Sequence, residues 1–400
     1  MSVHPRHLLA LVLCCLATCQ QSAAGPRPLI HVMADGQVPH VSLSPDGKHF
    51  AMRAGQSDAA GLVIVEIESG QTVNAFATRF DRPLYYFRWI SSETLIYAVG
   101  RRGASAEAQA AAGALLMIGI YGDRPRTLLS YRSTIEPRGR MTGIWQGAFM
   151  LGEVISTLPK ETGYVLLAET PIRARGAHWS ADHGRLMRIR KLNVSRGRTT
   201  PVETVPLVNA SLLVDADGEP RFALGLDRRG TAAAASKLDA GGSWKSFALA
   251  GFTEVVGVPQ RLPATGKVSF LGRKEGAARN GLYRIDLGSG AVVLEYMHEG
   301  LDIEAAVHDF SGQEVIGVRL EGPRLAVHWL DPEHSAVALH QGLMRAFSQM
   351  DVRVVSVAPE ARRAIIAVRA EDGSGEFFLL DTQTLQARLI VSLLRIEDPA

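Results

Sequence analysis

GLVIVEIESGQTV at Gly61–Val73, GLYRIDLGSGAVV at Gly281–Val293 and EFFLLDTQTLQAR at Glu376–Arg388 share one plan. Each is a strand-like run of alternating or continuous apolar residues that breaks into a polar turn and starts again. The first follows VSLSPDGKHFAMR at Val41–Arg53, and the last follows VSVAPEARRAIIAVR at Val355–Arg369. Self-similarity at a spacing of about 40–50 residues marks a β-propeller or a related array. Such a fold supplies a surface or a channel, and chemistry has to be added to it.

Working outward from these stretches, seven strand pairs are legible. They are Val41–Ala54 with Leu62–Glu68, Tyr86–Val99 with Leu115–Tyr121, and Ala148–Ile155 with Tyr164–Ala168 and Leu186–Leu192. Ser211–Leu226 with Ala235–Leu249 and Val268–Leu271 with Leu282–Leu287 follow, then Glu314–Leu320 with Leu325–Leu330, then Val352–Arg369 with Phe377–Leu380. All are rich in β-branched and aromatic residues and bounded by Gly, Asp, Asn or Pro. A weaker edge strand after each pair predicts four-stranded blades. The expectation is an all-β fold, a seven-bladed β-propeller over residues 29–392, with residues 393–400 as a linker-like tail.

The turns carry their own signals. SPDG at Ser44–Gly47 and DADG at Asp215–Gly218 combine residues that pre-set or tolerate turn dihedrals. DAGGSW at Asp239–Trp244 resembles the core of an Asp-box, with Trp244 packed beneath the turn. AVALHQGLMRAFSQM at Ala336–Met350 spaces Val337, Leu339, Leu343, Met344 and Phe347 near a helical period. It predicts one inserted helix covering the propeller edge. The Ala-rich stretch Ala104–Leu116 reads as a loop or short helix.

Lys and Arg number 43 against 40 Asp and Glu. That near-balance argues against nucleic-acid or membrane-surface binding driven by bulk charge. The paired arginines Arg101–Arg102 and Arg228–Arg229 read as solvated loop charge. Residues 1–24 read as a signal peptide: His4, Arg6 and His7, the apolar run Leu8–Ala17, and the small residues Ser22–Ala24. Cleavage there leaves Gly25. The alternative is lipidation at Cys19 within LATC, Leu16–Cys19. Cys14, Cys15 and Cys19 are the chain's three cysteines, so the mature protein has no disulfide, thiolate metal site or cysteine nucleophile. No later apolar run has membrane length, and an exported, periplasmic location follows.

Motifs for catalysis are missing. There is no G-x-S-x-G, P-loop, H-E-x-x-H, EF-hand loop or G-x-G-x-x-G after a strand. His178, His183, His328, His334 and His340 lack metal-ligand spacing. Glu66 and Glu68 share a strand face but lead into a polar turn, so they read as solvated edge. A sialidase needs several Asp-boxes, an arginine triad and a Tyr–Glu pair, which this chain does not offer. No catalytic, cofactor or metal residue is assigned.

The ordered blocks VSLSPDGKHFAMR, FRWISSETLIYAV at Phe87–Val99, GLYRIDLGSGAVV, HWLDPE at His328–Glu333 and APEARRAIIAV at Ala358–Val368 carry a family likeness. The chain resembles the N-terminal β-propeller of bacterial exported prolyl-oligopeptidase-type serine peptidases. In that family the propeller restricts substrate access to an α/β-hydrolase domain, and LLRIEDPA at Leu393–Ala400 resembles the linker into it. The family's Ser, Asp and His have no counterpart in this sequence. The resemblance therefore implies a non-catalytic exported propeller that binds peptide or protein, with no cofactor. One alternative is the propeller half of a split or truncated peptidase whose hydrolase domain is encoded separately. Another is a periplasmic assembly scaffold.

Overall fold

The computed structural model describes residues 28–395 apart from 35–38, 56–60, 79–82, 101–113, 123, 131–149, 176–177, 183, 240, 258–261, 323–325, 349 and 371–373. The signal-peptide and Cys19 readings, Arg101–Arg102 and most of the Ala-rich stretch lie outside the described residues. The fold is all-β, a seven-bladed β-propeller. Two compact units divide the chain: Met1–Val99, Met117–Arg126 and Pro332–Ala400, and Gly100–Leu116 with Thr127–Asp331.

In the first unit, blade one is β2 (Val41–Leu43), β3 (His49–Ala54), β4 (Gly61–Glu66) and β5 (Thr72–Ala77), paired in that order. Blade two is β6 (Leu84–Ser91), β7 (Thr94–Val99), β8 (Ala114–Gly119) and β9 (Arg126–Ser130); β6 and β7 belong to the first unit, and the ranges of β8 and β9 are divided between the two. Blade seven is β26 (Asp351–Ala358), β27 (Arg363–Arg369), β28 (Gly375–Asp381) and β29 (Ala387–Arg395). It gains a fifth strand, β1 (Ile30–Ala34), which adds in parallel to β29 with Ile30 opposite Val391 and Ala34 opposite Arg395. Residues 393–395, read from sequence as the start of a tail, form the end of that outer strand.

Blades seven and one share a core in which Phe50, Met52 and Val65 pack with Ile365, Phe377 and Val391. Polar ties reinforce it. Ser356 Oγ accepts from Leu43 N–H at 2.9 Å, and Arg363 Nη1 donates to Gly47 O at 2.7 Å.

In the second unit, blade three is β10 (Met150–Ser156), β11 (Tyr164–Arg175), β13 (Arg188–Asn193) and β14 (Arg198–Thr204), with β12 (His178–Ala181) paired to the end of β11. Blade four is β15 (Val208–Val214), β16 (Pro220–Leu226), β17 (Ala232–Ser236) and β18 (Lys245–Ala248). Blade five is β19 (Phe252–Gly257), β20 (Lys267–Lys274), β21 (Gly281–Asp286) and β22 (Val292–Tyr296). Blade six is β23 (Ile303–His308), β24 (Val315–Leu320) and β25 (Ala326–Trp329).

The expectation of uniform four-stranded blades is thus corrected. Blade three carries an extra pairing, blade seven carries β1, and blade six has three strands among the described residues. After β25 the chain turns through Asp331 and Pro332 into α1 (Ser335–Ala346) instead of a fourth strand. Proline cannot donate to a ladder, and His334 Nδ1 accepts from Ala336 N–H at 3.2 Å as the helix cap. The helix stops four residues short of the expected Met350, because Phe347 leaves helical dihedrals (φ −113°, ψ 55°). Val337 and Leu343 are buried, and the Phe347 ring lies 5.1 Å from that of Phe378 on β28. Among the described residues this is the one helix, and none is long and apolar enough to cross a membrane.

Gly61–Val73, Gly281–Val293 and Glu376–Arg388 contain the same turn. Glu66 O accepts from Gly70 N–H, Asp286 O from Gly290 N–H and Asp381 O from Leu385 N–H, at 2.9, 2.8 and 2.8 Å. The last residue of each is left-handed, with φ of 70°, 79° and 61°. Asp286 and Asp381 also accept from main-chain N–H groups inside the turn, which holds both carboxyls below the usual range.

Candidate functional site

The first strands of successive blades approach one another. A Cβ built on Gly257 of β19 would stand 3.7 Å from Ser211 Cβ of β15. In the second unit these strands are accessible, whereas their neighbours are buried. β15 exposes Asn209 and Ser211, β19 exposes Thr253, Glu254 and Val256, and β23 exposes Glu304, while every residue of β17 is buried. None of β15, β19 or β23 carries a Lys or Arg. The result is a mixed polar and apolar surface with two carboxylates, Glu254 and Glu304.

The SPDG turn of blade one brings Ser, Asp and His together. Ser44 Oγ donates to Asp46 Oδ1 at 2.6 Å and accepts from His49 N–H at 3.0 Å. Ser44 is fully buried and His49 is 5% exposed, with neither ring nitrogen hydrogen-bonded. In a Ser–His pair the imidazole activates the serine by hydrogen-bonding to its hydroxyl. Here the hydroxyl is bound to the carboxylate and the ring does not reach it, so the trio closes a turn. Asp46 is held below the usual range by these hydrogen bonds and the neighbouring cations, which outweigh its partial burial as the largest opposing effect.

The histidines singled out in the sequence do different things. His334 caps α1. The His328 ring stacks on Tyr296 at 3.8 Å, and burial beside His298 lowers its pKa. The side chains of His178 and His183 lie outside the described residues. No group of three or more His, Cys, Asp or Glu able to hold a metal occurs among the described residues. Glu66 accepts from Ser69 Oγ at 2.6 Å and serves its turn, and Arg228 and Arg229 are exposed beside Asp227.

Sequence reading missed two buried charge sites in the second unit. In the first, Lys237 follows β17 with its side chain 2% exposed, and its Nζ donates to both oxygens of Glu203 on β14, at 2.7 and 3.0 Å. Trp244 Nε1 donates to Glu203 Oε2 at 2.8 Å, and Lys237 Nζ lies 5.0 Å from the indole centre. Trp244 is therefore half-buried, packs against the core and is tied by its indole N–H to the neighbouring blade. In the second, Glu169 on β11 is 1% exposed, and burial pushes its carboxyl up to about 8 against the pull of Arg190 and Arg188. The signal for both was a charge in an apolar run: Glu169 in YVLLAETPI and Lys237 after TAAAAS.

No protein-family model matches the chain, and no curated protein does. Solved structures do. Among them are propellers of peptidases, and TolB. The crystal structure of puromycin hydrolase matches at 14% identity and a TM-score of 0.48, over 91% of this chain and 55% of that one. The β-propeller domain of the Trilobed protease from Pyrococcus furiosus matches at 10% identity and a TM-score of 0.44, over 86% of this chain and 92% of that domain. TolB from Acinetobacter baumannii matches at 12% identity and a TM-score of 0.35, over 98% and 94%. The chain spans about half the length of the puromycin hydrolase it matches.

Proposed function

We propose that this chain is an exported, non-catalytic propeller that binds an extended peptide or protein segment on the first strands of its blades. The observation that carries the reading is the accessible face of β15, β19 and β23 beside the fully buried β17. The exposed Glu254 of β19, a strand with no lysine or arginine, favours a ligand that carries positive charge. The motif absences and the closed Ser44–Asp46–His49 turn support a binding role over acyl transfer.

The test is fluorescence anisotropy with labelled extended peptides of basic, neutral and acidic composition. Basic peptides should bind most tightly, and Glu254→Lys should weaken them about tenfold, about 1.4 kcal/mol. Equal affinity for all three sets would overturn the reading. Labelling of one serine by a fluorophosphonate probe, lost when that serine is replaced, would overturn the non-catalytic part. Mass spectrometry of the exported protein should find Gly25 at the N-terminus, or a lipidated Cys19; an intact Met1 would defeat export.

A further inference from the structure

Glu169 sits where β11 is enclosed on both sides. Gly152 of β10 and Arg188 of β13 are its cross-strand neighbours. β10 contributes no charge to this face, since Glu153 alternates to the other one. β14 carries Glu203, which is turned to Lys237 and Trp244, and Arg198, which pairs with Asn193 at the far end of β13. β15, which packs against β11, carries no charged residue, and among the described residues the charges left facing Glu169 are Arg188 and Arg190 of β13.

Arg190 Nε stands 3.4 Å from Glu169 Oε1, close enough for attraction but not in hydrogen-bond geometry. The guanidinium is committed elsewhere. Nε and Nη2 donate to Thr199 Oγ1 at 3.1 and 2.9 Å, and Nη2 also reaches Thr199 O at 3.3 Å. Arg190 thus ties β13 to the outer strand β14 and leaves a buried carboxyl oxygen without a donor. A buried anion without donors is costly, whereas a neutral carboxylic acid there is not. The upward push on this carboxyl agrees with that geometry.

We propose that Glu169 and Arg190 form a proton-operated latch in blade three. While the carboxyl keeps its proton, Arg190 holds Thr199. When the proton passes to solvent, Arg190 turns from Thr199 to the new carboxylate, and the tie between β13 and β14 loosens. Blade three therefore responds to a rise in pH across the neutral range, and its outer strand is the part that moves.

The test uses the full chain with carboxyl-labelled glutamate, titrated by NMR, with the Glu169 resonance assigned by its loss in Glu169→Gln. It should titrate near 8. Amide exchange of Thr199–Thr204, with the intrinsic base-catalysed rise divided out, should quicken about tenfold across that titration in the wild type and stay level in Glu169→Gln. Titration in the ordinary carboxylate range, about 4–5, would overturn the proposal, as would equal exchange in both proteins. Thr199→Val provides a second route that leaves Glu169 in place. It frees Arg190 for the carboxylate, so the titration midpoint should fall by about one unit. An unmoved midpoint would show that Arg190 does not switch.

Discussion

Glu203 and Glu169 lie on the same blade, two strands apart, and meet opposite fates. Glu203 is one-fifth exposed and accepts from an ammonium and an indole; Glu169 is sealed in with its nearest cation held by a threonine. The difference lies not in the number of cations nearby but in where their donors point. Donors that converge offset the desolvation of a buried charge, and donors that are already engaged do not. The first site behaves as a fastener between blades three and four, and the second as a group that holds its proton.

The sharpest way to break this contrast is Glu203→Ala. It removes the carboxylate to which the buried Lys237 ammonium donates, and breaking such a buried pair costs about 3–5 kcal/mol. Urea unfolding should show it, and a loss below about 1 kcal/mol would mean that Lys237 finds water.

Next in size is Glu169→Gln, whose effect depends on pH. Below the ordinary value of 4.5 the folded and unfolded chains are both protonated at this position, and the variant should match the wild type. Between 4.5 and about 8 the unfolded chain releases its proton first. The wild type therefore loses stability as pH rises, by at most about 1.4 kcal/mol per unit, and the glutamine does not. At pH about 9 the variant should be the more stable by about 2–3 kcal/mol, after allowance for Arg190 turning to the carboxylate. A difference that is constant with pH would remove the contrast between the two glutamates.

The smallest expected effect is that of Trp244→Phe, which keeps most of the ring but loses the donor to Glu203. It should cost about 1 kcal/mol. No change would mean that Lys237 alone satisfies the carboxylate.

Much of the fold was legible because it is written in short-range chemistry. Period-two apolar runs and Asp–Gly turns reveal the strand pairs, and the turn at Asp286–Gly290 needs only five residues to specify itself. Leu385 shows the limit: it takes the left-handed position that Gly70 and Gly290 fill in the other copies, so the residue there does not announce the turn. The missing fourth strand of blade six was not legible either, since His334 and Pro332 redirect the chain through local capping that a repeat pattern does not encode. The charge sites were half legible. An acid inside YVLLAETPI signals an unusual environment, but its relation to Arg190 depends on the register between β11 and β13, and Arg190's preference for Thr199 depends on β14. No binding face was legible in the sequence, and Glu254 and Glu304 emerged only from their exposure.

The union of β1 with β29, and of blade one with blade seven, also sets an order of events. Leu43 and Ser356 are bonded across 313 residues of chain. A contact of that separation bears the entropy of closing a very long loop before it returns any enthalpy. Blades whose strands are neighbours in sequence form from local hairpins, while this seam waits for both ends of the propeller to exist. Folding of this protein should therefore be rate-limited by ring closure, and until that step the apolar edges of β29 and β2 stand open to strand addition by other chains.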